Sequence, residues 1–166
     1  MLPIVFNEAA VIVGHAGVGE ALERRRAALT EAGVVPIDIP VQGASLAGLK
    51  LLYVAGTSKS DAAALAARAR EAGVFVNVED IPEMCDFHAP ATVRRGDLLV
   101  TISTGGRAPG LARLIREWLS KKLGSEWNRQ FEAISDRRAQ WRAEGLPPQE
   151  VSQRLRDFVA ERNWLS

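Results

Sequence analysis

Cysteine, tyrosine, histidine and methionine are all scarce: one, one, two and two in a chain of 166 residues. A lone cysteine, Cys85, cannot close an internal disulfide or build a cysteine-rich zinc site. So little cysteine fits a reducing cytoplasm. No run approaches the roughly 20 apolar residues that span a bilayer, so no membrane partner is expected. The opening residues, Met1 to Phe6, have no basic n-region and no long apolar stretch, which makes them a poor signal peptide. An excess of either charge is also missing. The formal net charge is +1, which gives no general pull toward nucleic acid. The hydrophobic fraction of 47% and charged fraction of 25% are those of a soluble globular protein.

What is present is a rhythm. Short apolar runs occur at Val11 to Val13, Val34 to Ile39, Leu51 to Val54, Phe75 to Val78 and Leu98 to Ile102. Most are β-branched, as strands are. Helical stretches, Glu20 to Glu31 and Ser60 to Ala72, lie among the first four. Strand alternating with helix predicts an α/β fold, a Rossmann-like doubly wound parallel sheet, over residues 1–102. After Pro109 the pattern becomes helical, with Leu111, Leu114, Ile115, Trp118 and Leu119 on one stripe. Further helices carry Trp127, Phe131 and Ile134, then Val151, Leu155, Phe158 and Val159. Residues 103–166 are therefore expected to form a small helical region that dimerises. Packing of those helices on their own sheet is the alternative.

The first strand runs into Gly14-His15-Ala16-Gly17-Val18-Gly19. Two registers of the dinucleotide fingerprint compete, one from Gly14 and one from Gly17. The second position needs glycine so that the backbone can approach a pyrophosphate. Only the Gly17 register supplies it, as Gly19, although Leu22 then stands where a small residue is usual. Gly17, Val18, Gly19 and Glu20 are the cofactor candidates here, with the helix N-terminus aimed at the phosphates. Asp38, at the end of the second strand, could accept from the ribose of NAD. His15 reads as incidental.

Ligands of open parallel sheets bind outside the carboxyl ends of the strands. Gly56 and Thr57 follow the third strand, Asp80 the fourth, and Ser103, Thr104, Gly105 and Gly106 the fifth. All are expected on one rim. Cys85 and His88 are two ligands at most, and no metal site is expected.

The stretch from Asn77 to Leu119 carries Asn-Val-x-Asp-x-Pro at Asn77 to Pro82, then Asp86-Phe87, Pro90-Ala91, Arg95-Gly96-Asp97-Leu98, Ile102-Ser103-Thr104-Gly105-Gly106, Pro109 and Leu111-Ala112-Arg113. This resembles the precorrin-2 dehydrogenase family, the amino-terminal half of siroheme synthases. The opening LPIVF and the Gly17 register match as well, with Glu23, Arg24 and Arg25 where the family has a basic pair. The resemblance covers about residues 1 to 122. Ser58 and Lys59 depart from it, standing where the family often has two acids, and so does Leu22.

The resemblance implies NAD-dependent oxidation of precorrin-2 to sirohydrochlorin by a cytoplasmic homodimer. Asp80 takes the place of the family's catalytic candidate, and a carboxylate at a strand end suits a general base. Asn77, Ser103, Thr104, Gly105, Gly106, Arg107 and Arg113 become substrate-binding candidates. The two arginines are chosen because the substrate carries eight carboxylates, which guanidinium forks pair well. Two alternatives stand beside this. One is a bifunctional dehydrogenase that also inserts iron into sirohydrochlorin. The other is a nucleotide- or tetrapyrrole-binding protein without turnover, motivated by Leu22, Ser58 and Lys59. From the length, the methyltransferase of the longer trifunctional form is not expected.

Overall fold

The computed structural model describes residues 10–165. The LPIVF opening lies outside them. The chain divides into two compact units between Ala89 and Pro90. The junction therefore precedes the boundary expected at 102.

The first unit holds four parallel strands: β1 (Val13–Gly17), β2 (Ile37–Asp38), β3 (Leu51–Ala55) and β4 (Phe75–Val78). Their order across the sheet is β2-β1-β3-β4. Helix α1 (Glu20–Glu31) links β1 to β2, and α2 (Lys59–Glu71) links β3 to β4. The first crossover moves one way along the sheet and the second moves the other way. Right-handed crossovers running in opposite directions put their helices on opposite faces. The core agrees. Ala16, Leu52, Val54, Val76 and Val78 cluster with Ala62, Leu65, Ala66 and Ala69 of α2. Leu51 and Tyr53 face the other way, with Val13 and Leu29 of α1. Strand residues alternate faces, so both sides of β3 are buried and its whole run is apolar.

Two expectations change. The run Val34 to Ile39 contributes only the two residues of β2, because Pro36 and Pro40 lack the N–H that a ladder needs. The run Leu98 to Ile102 is a strand but not a member of the parallel sheet. It pairs antiparallel with a strand the apolar runs did not reveal.

That pair opens the second unit: β5 (Ala91–Arg95) and β6 (Leu98–Ile102), joined by Gly96-Asp97. Helices α3 (Pro109–Lys122), α4 (Trp127–Ala143) and α5 (Pro148–Glu161) follow. Trp141 of α4 is buried and meets Phe158 of α5 edge to face at 6.4 Å; Phe158 meets Trp164 at 5.6 Å. Packing on its own elements thus accounts for part of the aromatic tail. Trp118 is 58% exposed, on a face of α3 shared with exposed Leu111 and Leu114. Among the described residues no helix is long and apolar enough to cross a membrane.

Arg95 ties this unit together. Its Nε donates to the Leu123 and Gly124 carbonyls at 2.7 and 3.0 Å, and its Nη2 to the Ser120 carbonyl at 3.0 Å. Those oxygens belong to the last turn of α3 and the residues after it, where carbonyls lack helical partners. One guanidinium fork satisfies three of them. Arg95→Ala is expected to cost the unit about 2 kcal/mol, the scale of hydrogen bonds to a charged donor. Arg95→Lys should recover only part of this, because an ammonium cannot reproduce the fork. Thermal melts of the three proteins check it. An unchanged midpoint in Arg95→Ala would show the clamp to be dispensable.

Candidate active site

β1 continues to Gly17, so Gly14, His15 and Ala16 lie inside the strand and the turn begins after them. This separates the two fingerprint registers. Gly14 is buried, and a side chain there would crowd Leu49, Ile39 and Leu52, so its smallness serves packing. Gly17 has φ +109°, and a Cβ on it would overlap the Ala55 carbonyl oxygen. That oxygen accepts the Val18 N–H at 3.0 Å. Gly19 has φ +97°, and a Cβ there would meet no atom within 4 Å. Close approach is thus required below Gly17 and left open above Gly19.

Gly19 caps α1 without any side-chain acceptor. The first-turn amides and the positive end of the helix dipole are offered to an anion instead. Glu20 and Glu23 stand in that first turn and oppose a phosphate electrostatically. Each is matched by an arginine: Glu20 with Arg24 at 3.5 Å and Glu23 with Arg26 at 3.5 Å. Glu20's side chain is 96% exposed, so its part is through its backbone. The cradle therefore fits a pyrophosphate held by main-chain donors. Leu22, the large residue at the third position, is buried and accommodated in the helix–sheet seam.

The neighbouring turn interlocks with this one. A Cβ on Gly56 would overlap the Val18 carbonyl oxygen, as one on Gly17 would overlap that of Ala55. These two turns end β1 and β3, adjacent strands paired Gly17 to Ala55. Between them the chain order reverses, the place where open α/β sheets bind ligands. Thr57 follows, half-buried. The Ser58 hydroxyl accepts the Asp61 N–H at 3.1 Å and caps α2, which gives the serine a physical reason. Asp38 ends β2 on the same rim, opposite His15. It is ion-paired with Arg26 of α1, a residue the reading of the sequence missed.

β4 ends at Val78, paired with Val54, so Asp80 emerges on that rim too. Glu79 donates its N–H to the Val54 carbonyl at 2.9 Å, and its carboxylate meets Arg25 of α1 at 3.6 Å. Arg25 also lies over the Tyr53 ring at 4.7 Å. Asp80 itself has φ +59° and is exposed. A left-handed conformation is uncommon outside glycine, though aspartate tolerates it better than most residues.

The polar residues around Asp80 have other tasks. Asp86 Oδ2 accepts the Val76 N–H at 3.0 Å, and its Oδ1 accepts from Arg70 Nε at 2.9 Å. Asn77, expected to touch substrate, is buried and donates to the Phe87 carbonyl at 2.8 Å. The Cys85 Sγ accepts the Val78 N–H at 3.3 Å. Burial pushes its thiol up, and the backbone bond to Val78 opposes this. These bonds fold residues 81–87 back onto β4 and leave Asp80 at the apex.

Ser103, Thr104, Gly105 and Gly106 do not follow a strand of the parallel sheet. They form the loop between β6 and α3 in the second unit, because β6 is absent from the parallel sheet. Ser103 Oγ accepts the Gly105 N–H at 3.2 Å, and Thr104 Oγ1 accepts the Ala108 N–H at 3.3 Å. Arg107 is exposed. Arg113 donates to Glu117 at 2.9 Å and holds that carboxyl below its ordinary value. Among the described residues no group of three or more His, Cys, Asp or Glu could hold a metal ion.

His15 is 1% exposed, and neither ring nitrogen has a hydrogen-bond partner. Its ring meets Tyr53 edge-on at 5.8 Å. Burial lowers its pKa first, the Arg26 charge next, against the pull of Asp38. The folded value lies below the unfolded one. As pH falls through about 6.5, the unfolded chain takes up a proton that the fold resists, so stability drops on acidification. Above that pH the contribution is constant. Urea melts at pH 7.5 and 5.0 should show a larger acid loss in the wild type than in His15→Phe. Equal losses would contradict it.

Comparison with known proteins agrees with this geometry. A family described as putative NAD(P)-binding matches residues 6–91. Siroheme synthase 1 of Aeromonas salmonicida is 41% identical over 108 residues, 64% of this chain and 23% of that protein. A siroheme synthase of Methylococcus capsulatus is 45% identical over 69 residues, 42% of this chain and 15% of that protein. The chain thus spans at most about a quarter of these curated relatives. Among solved structures, SirC, a precorrin-2 dehydrogenase, superposes with a TM-score of 0.73 at 17% identity, over 100% of this chain and 93% of that one. At that identity the likeness speaks to the fold, an α/β sheet followed by helices. With its glycine turn, switch point and rim in place, the chain belongs to the putative NAD(P)-binding family.

Proposed function

We propose that this chain oxidises precorrin-2 to sirohydrochlorin with NAD⁺ as acceptor and Asp80 as general base. The observation that carries the reading is one rim shared by Gly17, Gly19, Asp38, Gly56 and Asp80, at the carboxyl ends of four parallel strands. The siroheme synthases among its relatives and the precorrin-2 dehydrogenase with its fold support the choice of substrate.

When bound, the dinucleotide supplies the hydride acceptor. The chain supplies the rest. Amides at the start of α1 hold the pyrophosphate, and Asp38 accepts from the ribose. The Asp80 carboxylate takes the proton that leaves the macrocycle as conjugation extends. Its apex position, fixed by Asp86 and Asn77 behind it, presents the carboxylate without a competing ion pair drawn from its own loop. Within the second unit Arg107 is exposed, while Arg113 already serves Glu117.

Anaerobic incubation with precorrin-2 and NAD⁺, followed by visible absorbance, tests this. Asp80→Asn should lose at least about 100-fold in turnover, the lower bound for a general base, with NAD⁺ binding retained. Cys85→Ala should keep turnover. Full activity in Asp80→Asn would remove the base from the account. Dinucleotide binding without any turnover in the wild type would favour a non-catalytic binder.

A homodimer belongs to the same reading. The exposed stripe of Leu111, Leu114 and Trp118 on α3 is apolar surface that a second copy would cover. Sedimentation should give a dimer, and Leu114→Asp a monomer. A monomeric wild type at micromolar concentration would end that part.

A further inference from the structure

Arg26 is the seventh residue of α1 and the only member of its arginine triplet that reaches the end of β2. Arg24 turns to Glu20 at 3.5 Å, and Arg25 to Glu79 at 3.6 Å and the Tyr53 ring. Arg26 ion-pairs with Asp38 and lies 3.5 Å from Glu23. Its side chain is 31% exposed, while that of Asp38 is 73% exposed.

In dinucleotide-binding sheets, an acid after the second strand accepts from the ribose 2′-hydroxyl of NAD, and an arginine nearby receives the 2′-phosphate of NADP. Here both groups are present and each occupies the other. With Asp38 ionised, a 2′-phosphate would face a carboxylate and an arginine already neutralised by it. A hydroxyl would find an acceptor whose orientation the arginine fixes.

We propose that Arg26 is a specificity-determining residue, a 2′-phosphate receptor held in reserve by Asp38, so that removing this one carboxylate turns the cradle from NAD toward NADP. The proposal rests on the dinucleotide reading above and adds to it the residue that decides between cofactors. Glu23 limits the size of the switch. Its carboxylate stays near Arg26 after Asp38 is neutralised and competes with the incoming phosphate.

The test is calorimetric titration of the full chain with NAD⁺ and with NADP⁺, so that the readout is affinity and needs no turnover. The wild type should bind NAD⁺ at least tenfold tighter than NADP⁺. Asp38→Asn should weaken NAD⁺, tighten NADP⁺ at least tenfold and reverse the order. The NADP⁺ gain should vanish in Asp38→Asn/Arg26→Ala. It should also shrink as salt is raised, since the pair it depends on is partly exposed. Asp38→Ser, neutral and exposed like the asparagine, serves if the first variant melts early. An unchanged NADP⁺ affinity in Asp38→Asn overturns the proposal, and so does a gain that survives loss of Arg26. In both cases NAD⁺ binding by the wild type leaves the cradle standing. No binding of either dinucleotide by the wild type would instead remove the cradle, and this proposal with it.

Discussion

Two carbonyl oxygens lie where two side chains would otherwise be. The Ala55 oxygen occupies the Cβ position of Gly17, and the Val18 oxygen that of Gly56. This mutual exclusion locks the ends of β1 and β3 together at the point where the strand order reverses. The rest of the site depends on it. Were either turn pushed outward by a methyl group, α1 would no longer begin where it does, and its amides would face elsewhere. Both glycines also sit at positive φ, which makes a substituted residue costly twice over.

From that lock the remaining groups are placed by pairing alone. Parallel register carries β2 and β4 to the same edge, so Asp38 and Asp80 arrive on either side of the switch point. The two carboxylates then differ in their surroundings. Asp38 is engaged by Arg26. Asp80 is lifted on a loop whose own polar groups are bound inward, to Val76, Asn77 and Val78. The arginines of α1 connect the pieces. Arg25 reaches the β4 turn through Glu79, and Arg26 reaches β2. A buried histidine with no hydrogen-bond partner lies beneath them, so the polar rim rests on a core that tolerates little protonation.

Much of this was legible beforehand. Helix α1 falls on the expected Glu20 to Glu31 because Gly19 precedes it and Gly33 follows. The turn at Gly17 was legible too, and the structure adds a reason of its own for that glycine, the Ala55 carbonyl oxygen that leaves no room for a Cβ. The strand at residues 91–95 was missed although its signal is present: Gly96-Asp97 is a two-residue hairpin turn between alternating segments. Placing Leu98 to Ile102 in the parallel sheet overlooked that residues 79–90 carry no helix pattern for the crossover such a strand requires. The inward bonds of Asn77, Cys85 and Asp86 were not legible in the sequence. Their partners are mostly main-chain groups of β4 and the loop itself, with Arg70 of α2 added at Asp86, and only folding reveals which polar side chains turn inward. Arg26 had a signal too. Leu22, Arg25, Arg26 and Leu29 share one helical face, and since Leu22 is buried, the two arginines had to face the sheet.

The proposed dinucleotide would lie across this rim with its reactive end toward Asp80. Amide shifts of isotopically labelled protein, recorded while NAD⁺ is added, test it most directly. Perturbations are expected at residues 17–20, 38–39 and 56–57, extending to Glu79 and Asp80. Shifts confined to the opposite edge, around Leu51 and Phe75 where β3 and β4 begin, would contradict it.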